Sequence, residues 1–284
     1  MRKVMKLALE ERQIRIKCHY DLFDGYEIHL YGDERDHFAL AENLDKPIIT
    51  VHYPIERCDV YDVCNELNTD YFRQVIELCR KQHAGLVVHA ETGLQRLQGN
   101  PNLEGFCAAI RDSGIILHVE NCYRFVGAIE SLDVAYYLRS LIGEDRVYPL
   151  LDTCHLIMSE MSFRFEEMSF FKTIEAYASE NFKIHLNDCI GSGEWETGGI
   201  HGTNFYANQY LLRNILWMVH ELEKKGISVD LILEVNEEDY VYPTNAHQLA
   251  GNVDRYWQKM EEEDNLALTE RPSKKRRPPE KSED

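Results

Sequence analysis

From residue 47 to residue 235, short apolar, β-branched runs alternate with longer amphipathic ones, and this alternation constrains the fold more than any other feature of the chain. The runs are PIITVHYP (47–54), GLVVHAE (85–91), GIILHVEN (114–121), VYPLLDT (147–153), FKIHLND (182–188) and VDLILEV (229–235). Each is nearly continuous in apolar residues until a polar residue at its end, as in a parallel strand covered on both faces. The segments between them are punctuated like helices. Thr69 or Asp70 caps a run to about Gln82, Asn100–Pro101 opens one that ends near Gly114, residues 128–142 stop at Gly143, and residues 207–225 stop at Gly226. A last helix spans 245–262. Strand and helix in strict alternation specify βαβ units on a parallel sheet. With 284 residues the chain has the length of one α/β barrel, and the expected architecture is a (β/α)₈ TIM barrel.

The barrel needs two more strands. YEIHLY (26–31) supplies a seventh. IRIKCHY (14–20) stands too close to it for a crossover helix, which takes a dozen or more residues. The N-terminal unit is therefore irregular, or the first strand lies at Val4–Ala8. The pattern stops after Glu263, so residues 1–263 are expected to form the barrel and 264–284 a charged, disordered tail. The run Lys274, Lys275, Arg276, Arg277 in that tail has the composition of a localisation or nucleic-acid patch, but a solvated tail is the simpler account.

Composition narrows the function classes. Forty-nine acidic against 31 basic residues give a formal charge of −18, which disfavours binding that depends on neutralising phosphates. A small-molecule substrate in a pocket is favoured over duplex nucleic acid. No apolar run approaches the ~18 residues of a membrane span. The opening MRKVMKLALEERQIR is broken by Glu10 and Glu11 too early for a secretion signal. The eight cysteines include no CxxC pair and read as reduced thiols, so a cytoplasmic location is expected.

The chemistry lies where the polar residues fall. Six successive strands end in a residue able to ligate metal: His52, His89, Glu120, Asp152, His185 and Glu234. His155 follows Asp152 by three residues, and His201 lies in the loop after His185. In a (β/α)₈ barrel all strand C-termini open onto one face, so these side chains converge. The spacing of His52 from Thr50, His89 from Val87 and Glu234 from Ile232 puts each on an inward parity. Singly, a strand-end acid caps the next helix and a lone histidine packs. Eight such residues at equivalent positions call for a cation, because adjacent buried carboxylates otherwise repel. Mixed imidazole and carboxylate donors suit Mn, Zn, Co or Fe better than Mg or Ca. One ion on Glu120, Asp152, His185 and Glu234 suits aldose–ketose isomerisation or epimerisation, with a carboxylate moving the proton. Two or three ions, with His52, His89, His155 and His201 as further ligands, suit phosphodiester hydrolysis.

The strings TVHYP (50–54), VVHAETG (87–93), LHVENC (117–122), LLDTCHL (150–156), KIHLNDC (183–189) and LILEV (231–235) resemble the xylose isomerase-like TIM barrel superfamily, which holds sugar phosphate isomerases and epimerases and the endonuclease IV family. LLDTCHL with HLND is the most specific pair and is close to the endonuclease IV form. The resemblance implies that Glu120, Asp152, His185 and Glu234 hold a shared metal. It implies further that Glu120 and Glu234 double as the acid/base pair and His155 binds substrate oxygens in the isomerase-like branch. In the endonuclease-like branch His52, His89, His155 and His201 hold additional metals, and nucleic acid is the partner. The loop Gly199–Ile200–His201 departs from that branch's Asp-Arg-His, and neither Asp188 nor Glu196 is an obvious replacement. This favours a carbohydrate substrate. By analogy with such barrels a homodimer is expected.

With a single ion, His52 and His89 are expected to bind substrate instead; weaker substrate-binding candidates are Lys183, sharing parity with His185, and Arg124, either an anion anchor or a surface arginine. His118 reads as a core histidine, and Cys122, Cys154 and Cys189 as small packing residues.

Overall fold

The computed structural model describes residues 1–9, 21–122, 126–161, 167–190, 200–206, 208–237 and 241–269. Its strands in chain order are β1 (Arg2–Ala8), β2 (Gly25–His29), β3 (Ile48–His52), β4 (Gly85–Ala90), β5 (Leu117–Asn121), β6 (Val147–Asp152), β7 (Phe182–His185), β8 (Asp188–Ile190), β9 (Ile200–Thr203) and β10 (Val229–Leu233). β1 to β7 pair in sequence, and β10 inserts between β7 and β1 to close an eight-stranded parallel barrel. The fold is the expected (β/α)₈ barrel, with helices such as Asp70–Gln82, Ala128–Ile142 and Gln209–Lys224 returning the chain between strands. β8 and β9 form an antiparallel hairpin that no sequence pattern announced. Among the described residues no helix is long and apolar enough to cross a membrane.

The first strand is Arg2–Ala8, the second of the two sequence-based alternatives; residues 14–20 lie outside the described residues. Its three cations obscured it, and the structure shows why they are tolerated. Arg2 forms a two-bonded pair with Asp230 at 2.6 and 2.8 Å, Lys3 meets Asp254 at 2.7 Å, and Lys6 meets Glu234 at 3.3 Å. Val4, Met5, Leu7 and Ala8 are buried between them. A second boundary also moves. The final helix runs from Thr244 to Thr269, past Glu263 where the barrel was expected to stop. Asp264 explains the extension, since it accepts from His220 (2.9 Å) and Lys224 (2.8 Å) on helix Gln209–Lys224. The basic run at 274–277 lies outside the described residues.

Two apolar clusters hold the molecule together. The large one packs the helices on the outside of the strands, and a small one, Val4, Val87, Leu150 and Ile232, fills the barrel itself. Two residues further along their strands stand Lys6, His89, Asp152 and Glu234, so the period of two places a polar layer directly above an apolar floor. His118 closes the floor at β5. It is buried, its ring lies 6.2 Å from that of Tyr148, and burial together with Lys183 holds it well below its usual pKa, hence neutral. A Cβ at Gly85 would stand 2.6 Å from His118 Cδ2 and 2.8 Å from Nε2. With that ring confined, Gly85→Ala is expected to destabilise the fold by about 1–3 kcal/mol, the cost of overpacking a filled core. Chemical denaturation measures this, and an unchanged midpoint would mean the ring has room to move.

Candidate metal centre

The polar layer gathers His29 from β2, His52 from β3, His89 from β4, Glu120 from β5, Asp152 from β6, His185 from β7 and Glu234 just beyond β10, with Glu27 of β2 one inward step beneath. Apart from His29, which is half-buried, all are buried. Within this layer two sets of side chains bring ligand atoms together: Glu120, Asp152, His185 and Glu234, and His52, His89 and Glu120. Glu120 belongs to both.

In the first set one nitrogen, His185 Nδ1, faces Glu234 Oε2 at 2.8 Å, Glu120 Oε2 at 3.1 Å and Asp152 Oδ2 at 3.9 Å. Asp152 meets both roles raised for a strand-end acid. Its Oδ1 accepts from the His155 backbone N–H at 2.6 Å, capping helix Thr153–Met161, while its Oδ2 takes Asn187 Nδ2 at 2.9 Å and faces His185. In the second set His52 Nδ1 donates to the Tyr53 carbonyl at 2.6 Å, and His89 Nδ1 stands 3.3 Å from Glu91. Their Nε2 atoms face each other at 3.1 Å, each 3.4 Å from Glu120 Oε2. His155 donates Nδ1 to the Asn121 carbonyl at 2.8 Å and lies 3.2 Å from Glu120 Oε1.

These donors fit a divalent cation. Bonds of 2.0–2.1 Å in tetrahedral geometry place neighbouring ligand atoms about 3.3–3.4 Å apart, close to the spacings around Glu120. Despite the proximity of four imidazoles, both Glu120 carboxylate oxygens and His185 Nδ1 have no hydrogen-bond partner among the described residues. Buried polar atoms are nearly always satisfied, and a divalent ion held between these atoms would satisfy all three. Electrostatics show the same mutual dependence. Burial alone would raise the Glu120 and Glu234 carboxyls, yet His185 and His89 beside the first, and Lys6 and His185 beside the second, hold both well below the usual range. Burial would lower His185 and His89, but Glu120 and Glu27 hold the first well up, and Cys58 and Glu120 the second.

Six of the strand-end residues singled out from the sequence therefore meet, with His155 alongside. His201 lies on β9 opposite Cys189, with its side chain outside the described set. Arg124, Glu196 and Gly199 lie outside the described residues. Asp188 is occupied by Asn208 at 2.8 Å and the Cys189 backbone at 2.9 Å. Lys183 stands one layer beneath His185 and binds Asp230 at 2.6 Å. Cys122, Cys154 and Cys189 are buried, and the Cys154 thiol lies 3.5 Å from the Met158 sulfur. Sequence reasoning missed Glu27, His29 and Lys6. The signal was present: an acid and a histidine share the inward parity of YEIHLY, as in the strands that were recognised.

No protein-family profile and no curated protein sequence matches the chain. Solved structures do. A structure of the IolI protein with a binding zinc atom is 14% identical, covering 91% of this chain and 97% of that one, at a TM-score of 0.53. A xylose isomerase domain-containing protein from Salmonella typhimurium is 15% identical, with 91% and 97% covered, at 0.51. The probable 3-DHS dehydratase AsbF of Bacillus anthracis, involved in petrobactin synthesis, is 11% identical, with 89% and 98% covered, at 0.52. The chain thus shares the (β/α)₈ barrel fold of these structures, with the buried imidazole–carboxylate layer at the strand ends, the face on which (β/α)₈ barrels build their sites.

Proposed function

We propose that the protein is a divalent-metal-dependent isomerase or epimerase acting on a sugar or sugar derivative. The observation that carries this reading is the placing of two buried carboxylates, Glu234 at 2.8 Å and Glu120 at 3.1 Å, around the single nitrogen His185 Nδ1. Glu120, Asp152, His185 and Glu234 would hold a divalent cation, which would supply Lewis-acid polarisation of a substrate carbonyl. The donor types suit zinc, manganese, cobalt or iron. The chain's own groups do the rest. Lys6, 3.3 Å from Glu234 Oε1, keeps that carboxylate ionised and ready to take a proton from the carbon beside the carbonyl. Glu120 stands across the same histidine to return a proton from the other side. His155, whose Nδ1 donates to the Asn121 carbonyl, stands beside Glu120 to bind a substrate oxygen.

Incubating the metal-loaded protein with a panel of keto-sugars in D₂O is expected to give deuterium uptake at the carbon next to the carbonyl. Glu234→Gln should slow it by about 10²–10⁴-fold, the usual worth of a general base. Absence of uptake with every sugar would count decisively against the proposal.

The second ligand set favours one alternative. His52, His89 and Glu120 form a site that a single-ion reaction does not require, and two sets that share Glu120 would hold the two ions that a metal-dependent phosphodiesterase uses. Two ions per chain together with cleavage of an abasic duplex would favour that reading. One ion per chain would exclude it.

A further inference from the structure

Beneath the ligand layer, Glu27 is a fully buried carboxylate that belongs to neither ligand set. Its two oxygens are spoken for. Oε2 accepts from the Thr50 hydroxyl at 2.7 Å, Oε1 from His29 Nε2 at 2.8 Å, and His185 Nε2 lies 3.0 Å from Oε1 and 3.1 Å from Oε2. Thr50 and Glu27 are register partners on neighbouring strands, so the clamp is built into the sheet.

We infer that Glu27 is a positioning residue: it holds the His185 ring by Nε2 so that Nδ1, not Nε2, points its lone pair into the Glu120–Asp152–Glu234 set. This inference rests on the reading of that set as a metal centre. The chemistry leaves little freedom. An ionised carboxylate only accepts hydrogen bonds, so the nitrogen facing it carries the proton, and a neutral imidazole then has its other nitrogen bare. His185 Nδ1 is indeed buried, without a hydrogen-bond partner among the described residues, and 2.8 Å from Glu234. The same carboxylate reaches the other ligand set indirectly. The His29 ring, held by Glu27, stacks on His52 with centroids 4.5 Å apart and planes 18° from parallel. One buried acid therefore braces a histidine in each set, and it does so from the floor side, where it does not compete for the ion. A carboxylate behind a ligating histidine also makes that imidazole a stronger donor. A merely structural role would be filled more cheaply by an apolar residue, since desolvating a carboxylate costs several kcal/mol.

The test uses Co²⁺, with affinity measured by chelator competition on the full chain and geometry followed by visible absorption. Glu27→Gln keeps the shape but replaces one accepting oxygen with a donor that clashes with the His185 N–H. It is expected to weaken Co²⁺ binding by about 10–100-fold and to shift the visible bands. Glu27→Asp, which keeps the charge, should recover part of the affinity. Should Glu27→Gln not fold, Thr50→Val removes only the clamp and should weaken binding by about three- to tenfold, the worth of one hydrogen bond. Affinity and spectrum unchanged in both variants would overturn the inference while leaving the metal centre standing. Failure of the unaltered chain to bind Co²⁺ would overturn the metal centre itself, and the inference with it.

Discussion

Replacing Glu120 by glutamine is expected to empty both ligand sets at once. Glu120 is the one residue common to them, and four imidazole nitrogens surround its two oxygens at 3.1–3.4 Å. A neutral amide presents one weakly donating oxygen and one N–H that repels a cation. The loss in divalent-metal affinity should therefore exceed the roughly 100-fold ceiling for a residue that acts through a ligand. The metal-free protein suffers too. Breaking a buried charge pair costs about 3–5 kcal/mol because the partner is left uncompensated. At roughly 2 °C per kcal/mol for a chain of this size, Tm should fall by roughly 6–10 °C. Metal analysis after dialysis and a thermal melt read the two effects separately. Undiminished metal content in Glu120→Gln would show that the two sets do not depend on their shared carboxylate.

Adding divalent metal to stripped protein should raise Tm, and the rise should grow with pH. Ligand at a thousandfold excess over Kd stabilises by about 4 kcal/mol, which at roughly 2 °C per kcal/mol is a shift of about 8 °C. The pH dependence follows from the histidines. In the metal-free centre burial draws His155 down, but Asp152 and Glu120 outweigh it and raise the ring to about 10; His185 and His89 are raised as well. A raised folded pKa contributes stability that is complete below the unfolded value near 6.5 and fades as pH climbs through about 10. The metal-free fold thus loses ground with alkali. Ligation requires neutral imidazoles, so the metal-bound fold gains over the same window, and binding expels protons. Calorimetry in two buffers of different ionisation enthalpy should show net proton release at pH 7, and the metal-induced shift in Tm should be larger at pH 8 than at pH 6. A shift independent of pH would mean that protonated histidines are not what the ion displaces.

The barrel was legible because parallel strands buried on both faces write themselves as unbroken apolar runs; all six such runs are strands of the sheet. The candidate centre was legible because inward parity at a strand end is a period-two property of sequence. Where reading failed, a partner distant in sequence was the cause. Arg2, Lys3 and Lys6 make β1 look like a solvated segment until Asp230, Asp254 and Glu234 are placed opposite them. The end of the last helix depends on Asp264 meeting His220 and Lys224, which nothing local to residue 264 discloses. Glu27 was passed over for a related reason. A single acid in an apolar strand is a cost until Thr50, His29 and His185 are seen to share it. Lys183, in contrast, was placed correctly in parity, and only the depth of Asp230 decided which carboxylate it meets.

The closing pair β1–β10 gives the molecule a temporal order. Until residues 229–233 leave the ribosome, the first strand lacks one of its two neighbours, and Arg2 and Lys183 wait for Asp230. An open edge of this kind is where nascent chains mispair. The residues of the second ligand set are all synthesised much earlier, because His52, His89 and Glu120 sit on three consecutive strands, β3 to β5. The first set is complete only when Glu234 arrives, a step inseparable from closure of the ring. A chain that meets its ion during synthesis would therefore fill the histidine pair first and lock the barrel with the second ligand group.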